Sequence, residues 1–425
     1  MLVKSKKLVS ALQICYKAGN LNRIAIDEVH CCSEWGHDFR PDYRYLGLLK
    51  NLFEGVPLIG LTATATTFVL NDIREMLEIA AATVIKAPFD RPNLCYKVIS
   101  KPSKFDECIE LLNKIITDFQ SSSGIIYAIS IKECEDIAKA LRKIGVSVCV
   151  YHAQLISDVK VKLYNKWMKN SYQIVVATIA FGLGIDKPDV RFVIHFSLPK
   201  TIEDLYQQAG RAGRDGEPAT CIVLYRLSDY LKHTGFAKSK KDIQGASDVL
   251  NYSLNLKKCR HALIGFHFEE NNNIQCKTMC DNCLRSAEPE YFSLKRACTE
   301  IYKTIDDAKK KEVDLTLIKL LDSWFKLYKV QILKTDAEDI VAHLLSSNAL
   351  KEEKCYTSYN VICYIKNTYE TIPEHGLDVY MRRNAALRRY LGPPSLENVR
   401  NPKRKLEDRD APSTSNIEKI IVIDN

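Results

Sequence analysis

Short apolar runs recur along the first half of the chain, each bounded by polar or turn-forming residues. They fall at 23–27, 58–63, 83–87, 124–129, 146–151, 173–177, 192–196 and 221–225. Between them the apolar spacing lengthens to three and four, as at Ile109, Leu112, Ile115 and Ile116. That is the period of a helix with one buried face. Continuous apolar strands alternating with such helices predict an α/β fold with a parallel sheet covered on both faces. The interval 88–230 holds five of these strands and reads as one complete α/β domain, whereas 1–87 holds three and reads as part of another. Residues 1–18 carry lysines and then an apolar stretch, but Tyr16-Lys17-Ala18 makes a poor cleavage site, so an amphipathic helix is expected there rather than a signal peptide.

The pattern changes after residue 230. Segment 231–288 is helical and carries a cysteine cluster. Over 289–395 helices dominate, and Ala337, Ile340, Val341, Leu344 and Leu345 share one face. Thr335 with Glu338 offers a capping box at that helix's start. A strand–turn–strand follows, with 357–360 at its tip, and helices followed by a hairpin predict a winged helix-turn-helix. Segment 396–425 is polar and rich in Pro, Ser and Lys, which predicts a disordered tail. There is no internal repeat.

At roughly 150 residues per domain, 425 residues make about three domains. A hydrophobic content of 46% with 27% charged residues excludes a collagen, a coiled-coil rod and disorder throughout. No run approaches the roughly 18 apolar residues of a membrane helix. The net charge of +9 permits a nucleic-acid partner without demanding one. Fifteen cysteines, most on apolar segments, read as reduced thiols inside a cell.

Four motifs carry candidate chemistry. Asp27-Glu28-Val29-His30 ends an apolar strand, the edge at which open α/β sheets bind ligands. An Asp there can hold Mg²⁺ against nucleotide phosphates, and the adjacent Glu can activate water. Thr62 and Thr64 end the next strand. Ala177-Thr178 precedes a glycine-bearing loop that reaches Asp186 and Pro188. Gln208, Arg211 and Arg214 follow, the arginines one helical turn apart among small residues, and a guanidinium suits developing phosphoryl charge.

In this order the set resembles superfamily 2 helicases, and specifically the RecQ family of DNA helicases. The most diagnostic stretch is Cys31-Cys32-Ser33-Glu34-Trp35-Gly36-His37-Asp38-Phe39-Arg40-Pro41-Asp42-Tyr43, similar to the family's aromatic-rich loop. The likeness covers about 27–370 and is best to the short metazoan type 1 branch. It implies two RecA-like lobes, the first incomplete, then a zinc-binding subdomain and a winged helix. It implies ATP hydrolysis coupled to 3′→5′ translocation on single-stranded DNA and to unwinding of forked duplexes, in repair and recombination. Asp27 and Glu28 would serve Mg²⁺ and water, and Gln208, Arg211 and Arg214 would face the nucleotide with Asp186 nearby, Arg214 as the arginine finger. Trp35, Phe39 and Arg40 would sense single-stranded DNA by stacking on unpaired bases. Thr62 and Thr64 would link ATP to DNA, while Thr178 and the turn at His152 would touch the DNA backbone. Gln154 follows that turn where many relatives have Gly.

Cys259, Cys276, Cys280 and Cys283 stand at C-x16-C-x3-C-x2-C spacing, which predicts a closed, structural tetrahedral zinc site. Tyr356 and Tyr359 lie near the hairpin tip, and Tyr359 is the residue expected to split the last base pair. An ordinary wing with packing tyrosines is the alternative. RNA helicases share the two lobes and the arginine motif but lack the aromatic loop, the zinc cluster and the winged helix.

One expected part is missing. None of the 17 glycines is followed by Lys, so no G-x-x-x-x-G-K phosphate loop is present. Two readings are expected: a fragment of an active enzyme lacking its upstream part, or a product unable to hydrolyse ATP that acts as a DNA-binding or regulatory module. In the tail, Pro402-Lys403-Arg404-Lys405 resembles a nuclear import signal and equally a solvated charge run. Segment 420–424 is a β-prone apolar run that could add a strand to a partner's sheet, similar to a SUMO-interacting motif, or be an uninformative terminus.

Overall fold

The computed structural model describes residues 5–33, 40–182, 185–270, 275–357, 361–373, 377–393 and 420–424. The strands among them are, in chain order, β1 (Ile24–Ile26), β2 (Leu58–Thr62), β3 (Thr83–Ile85), β4 (Leu94–Ser100), β5 (Ser123–Tyr127), β6 (Val148–Tyr151) and β7 (Ile174–Ala177). They continue as β8 (Val190–His195), β9 (Ala219–Tyr225), β10 (Glu290–Ser293), β11 (Leu350–Tyr356), β12 (Val361–Asn367), β13 (Asp378–Met381) and β14 (Ile420–Asp424). The chain divides into two compact units. One holds 1–91, 261–274 and 411–425; the other holds 92–260 and 275–410.

The first unit is built on a sheet of order β1-β2-β14-β3. β1 and β2 run parallel, as their apolar runs predict. Val29, Phe53, Leu58, Ile73 and Leu77 close its core. The expected amphipathic helix spans Lys6–Lys17 and buries none of its residues fully. Its Tyr16 ring meets Phe53 edge-on at 5.6 Å.

The second unit begins with a six-stranded sheet of order β4-β9-β8-β5-β7-β6, parallel at every pairing. Its inner strands are buried along most of their length, which is why they read as continuous apolar runs. Helices Phe105–Asp118 and Ile131–Lys143 send Leu112, Ile116, Ile137 and Leu141 into the same core. The zinc segment follows. Then come helices Lys295–Lys309, Leu317–Tyr328 and Lys334–Ser346 and the antiparallel hairpin β11–β12, a winged-helix order.

Four sequence expectations need correction. The second unit's sheet has a sixth strand, β4, that the five apolar runs omit. It sits at an edge, and its residues alternate between buried and half-buried with Lys97 at the centre, so no continuous run marks it. Thr335 does not cap the helix beginning at Lys334, because it is already the second helical residue. Leu333 takes the cap position, and the Asp336 carboxylate accepts from its N–H. Glu338 instead forms a bidentate pair with Arg226 at 3.0 and 3.2 Å. Finally, the tail is not wholly without structure: 420–424 form β14, antiparallel to both β2 and β3, so the first unit's sheet is mixed rather than parallel. The import-like segment 402–405 lies outside the described residues.

Candidate functional site

In the first unit, Asp27 and Glu28 follow β1 at the carboxyl edge of the sheet. Glu28 is held in the left-handed region at φ 51°. Other non-glycine residues in that region, apart from Lys277, sit one to three residues past a helix, where such a conformation is routine. At a strand end it is a local strain of the kind concentrated at working sites. The Asp27 carboxylate accepts the Glu28 N–H at 2.9 Å, which turns the pair out of the strand.

His30, buried, joins this acid pair to the next motif. Its Nδ1 lies 2.8 Å from Thr62 Oγ1 and 3.4 Å from Glu28 Oε2. Thr62 Oγ1 also accepts the Thr64 N–H at 3.3 Å, and both threonines are buried. His30, Thr62 and Thr64 thus form one hydrogen-bonded group, with the Glu28 carboxylate close to its imidazole. Arg40 is placed by its N–H, which donates to the Cys31 carbonyl at 3.0 Å. Trp35 and Phe39 lie outside the described residues.

The second unit gathers Gln208, Arg211, Arg214 and Asp186, but gives them different surroundings. Arg214 is over a third exposed and pairs with the open Asp186 carboxylate at 2.8 Å. Arg211 is buried. Its guanidinium donates to the Gly182 carbonyl and lies against the Tyr127 hydroxyl, which donates to the Phe181 carbonyl at 2.9 Å. A Cβ on Gly182 would sit 3.2 Å from the Ile179 carbonyl and 3.3 Å from Arg211 Nη2. Arg211 therefore closes the loop after β7 onto the helix Ile202–Ala209.

Between the two arginines, Gly213 takes φ 59°, and a Cβ there would meet Asn93 Nδ2 at 2.5 Å. The Asn93 amide donates to the Gly213 and Glu217 carbonyls at 2.8 and 3.0 Å, fixing the turn that presents Arg214. Gln208 is buried beside His195. Burial pushes the His195 imidazole down to about 4, so it is neutral, and its ring stacks on Tyr127 at 5.7 Å. His152 and Thr178 follow the neighbouring strands β6 and β7, and the Thr178 N–H donates to the Tyr151 carbonyl at 3.3 Å.

The four cysteines converge. Their sulfurs all lie within 4.8 Å of one another. A tetrahedral zinc with bonds of roughly 2.3 Å sets its sulfurs roughly 3.8 Å apart, so the cluster fits that ion. Backbone N–H groups of Arg260 and Cys283 point at Cys280 Sγ from 3.5 and 3.3 Å, and that of Cys276 at Cys259 Sγ from 3.5 Å. Contact with Cys259 and then burial push the Cys280 thiol up, and burial pushes Cys276 up to about 12. Four thiolates this close need a cation between them. Fully buried Arg260 pairs with Asp281 at 2.8 and 3.1 Å, and Asp281 accepts the Val98 N–H of β4 at 3.1 Å. The Tyr96 N–H donates to the Met279 carbonyl at 3.1 Å, so the cysteine turn closes the outer edge of β4.

Tyr356 is exposed at the end of β11, while Tyr359 lies outside the described residues. The sequence reading missed His30, Tyr127, His195 and Asn93. His30 stood inside a quoted motif; the other three are distant in sequence from the motifs they support, and nothing in their spacing marks them. Among the described residues no helix is long and apolar enough to cross a membrane.

Residues 103–216 match the family described as helicase conserved C-terminal domain, and residues 225–284 match RecQ zinc-binding. The chain is 42% identical over 378 residues to ATP-dependent DNA helicase Q1 of Pongo abelii, covering 86% of this chain and 58% of that protein. It is 43% identical over 374 residues to the putative ATP-dependent DNA helicase Q1 of Caenorhabditis briggsae, covering 86% and 60%. It is 39% identical over 368 residues to ATP-dependent DNA helicase Q-like 2 of Arabidopsis thaliana, covering 85% and 52%. The chain thus spans between half and two thirds of the length of these curated relatives.

Proposed function

The chain belongs to the RecQ family of DNA helicases, and from that premise we propose that it works on DNA as part of an ATP-driven 3′→5′ helicase, in the nucleus, in repair or recombination. Asp27 would hold Mg²⁺ and Glu28 would orient the attacking water, with His30, itself held by Thr62, beside the Glu28 carboxylate. Arg214 would be the finger for the γ-phosphate, because it is the exposed arginine of the pair. His152, Thr178 and Arg40 would meet single-stranded DNA together with Trp35 and Phe39, and Tyr359 would part the duplex at the hairpin tip. Segment 420–424 would meet a SUMO-like or other strand-adding partner only when released from β2 and β3, which pair with both of its edges.

The observation that carries the DNA reading is the four-cysteine cluster closing the edge of the sheet that presents Arg214. It supports a DNA enzyme over an RNA helicase of the same superfamily. A competition binding assay with forked DNA and duplex RNA tests this. Forked DNA should win, and preferential retention of the RNA would reject the reading.

A second reading is a DNA-binding or regulatory module without turnover. Within these 425 residues none of the 17 glycines is followed by Lys. Without the N–H groups and Lys of a phosphate loop, the β- and γ-phosphates lose their main electrostatic partners. A polypeptide of these residues alone should hydrolyse ATP near background on either reading, and robust DNA-stimulated turnover would contradict the phosphate-loop argument. An in-frame upstream exon encoding a Gly-Lys-Ser/Thr loop supports the fragment of an active enzyme over the module.

A further inference from the structure

The helicase reading gives β14 no task, yet its place in the sheet is specific. Ile420 lies opposite Thr62, Val422 opposite Gly60 on one side and Val84 on the other, and Asp424 opposite Leu58. β3 pairs with no other described strand, so β14 alone joins it to β1 and β2. β2 is an inner strand whose Leu58 and Thr62 are buried. Without β14, one whole side of its backbone N–H and C=O groups would lose its partners, a cost the fold must avoid. The segment is suited to the gap: Ile420, Ile421, Val422 and Ile423 are all β-branched, in a stretch otherwise rich in charge, Pro and Ser.

We propose that the gap between β2 and β3 is a strand-accepting slot, filled within the same chain by segment 420–424. The partner it fits is an extended β-branched strand, and a strand of that kind supplied in trans competes for the same place. Direction gives the slot a consequence. Running antiparallel, β14 brings its amino end beside Thr62, at the carboxyl edge that bears Asp27 and Thr64. A strand serving phosphate there must run parallel to β2 and turn into a helix at that edge, so that helix N–H groups face the anion. The antiparallel occupant and a phosphate-binding strand exclude each other. This consequence rests on the nucleotide reading; the occupancy does not, and the test reads occupancy alone.

Thr83 and Ile423 are paired residues. A chain carrying Thr83→Cys and Ile423→Cys, mildly oxidised and mapped by peptide mass spectrometry, should contain an 83–423 link within monomers. In parallel, amide hydrogen exchange is followed in β2 and β3. Val422→Pro removes a ladder N–H, and exchange in both strands should quicken by at least about tenfold while β5 and β7 keep their rates. A peptide of residues 416–425 added in trans should restore the protection. Unchanged exchange in Val422→Pro overturns the proposal even if the cysteines join. A link found only between two chains overturns the in-cis assignment in favour of strand exchange between copies.

Discussion

Arg211 and Arg214 stand one helical turn apart, and the sequence gives them one role; their surroundings give them two. Arg211 spends its guanidinium on the Gly182 carbonyl and the Tyr127 hydroxyl, both inside the protein. Among the described residues Arg214 pairs with an exposed carboxylate. Arg211→Ala should therefore lower stability by about 2 kcal/mol, the scale of losing buried charge-assisted hydrogen bonds. Arg214→Ala should stay within about 0.5 kcal/mol of the parent, as exposed ion pairs do. Denaturant melts of both variants check this, with Tyr127→Phe expected between them. Equal losses from the two arginines would put them back in one class. The distinction was not legible in the sequence, because Tyr127 and Gly182 are remote from the arginine motif and nothing in their spacing points at it. The small residues around the arginines were legible, and Gly213 shows why they are needed: the turn tolerates no side chain against Asn93.

At the level of single elements, the apolar runs and helical periods were sufficient for the parallel sheet, because buried strands and one-faced helices leave plain patterns. They failed where an element is half exposed, as β4 is, or short and remote, as β14 is. The helix Lys334–Ser346 shows a third kind of information that pattern does not carry. Its Asp339 and His343 line a cavity of about 30 Å³ with Tyr225 and Arg382. The Tyr225 hydroxyl lies against Asp339 without a well-formed hydrogen bond, and Asp336 and Glu338 add negative charge nearby. Burial raises the Asp339 carboxyl to about 7 and lowers the His343 imidazole to about 4. Asp339 is raised above its ordinary 3.8, so the folded state keeps a proton the unfolded state loses, and stability falls as pH rises from about 4 to about 7. His343 is lowered below its ordinary 6.5, so stability falls as pH drops from about 6.5 towards 4. The two slopes oppose, each at most ~1.4 kcal/mol per pH unit. Asp339→Asn should leave stability rising with pH across that range, and His343→Gln should leave it falling. Urea melts from about pH 4 to 8 read both slopes, and two variants parallel to the parent would mean that neither group is held neutral. The cysteine turn is the element whose chemistry was fully legible, since thiolate spacing alone implies convergence. Stripping its metal, or Cys280→Ser, should free the edge of β4, seen as faster amide exchange at Tyr96 and Val98 with loss of about one zinc per chain.

For the molecule as a whole, net charge is a weak guide: 61 basic residues stand against 52 acidic ones. Such a balance gives little long-range attraction beyond a Debye length of about 8 Å at physiological salt. On the proposed function, affinity for single-stranded DNA must then come from local contacts, and each phosphate neutralised contributes about −0.7 to the slope of log affinity against log salt. A slope of about −2 to −4 is expected, from a few cations placed at strand ends rather than from the whole surface. The proposed role of Arg40 can be isolated within that slope. If its guanidinium plane stacks on an unpaired base, Arg40→Lys keeps the charge and loses the plane. Binding should weaken about tenfold, in line with the 1–3 kcal/mol of one stacked base, while the salt slope stays the same. Titrations of labelled oligonucleotide at several salt concentrations give both numbers. Full affinity in the Lys variant would reduce Arg40 to a point charge and take away the physical basis for base sensing by that loop.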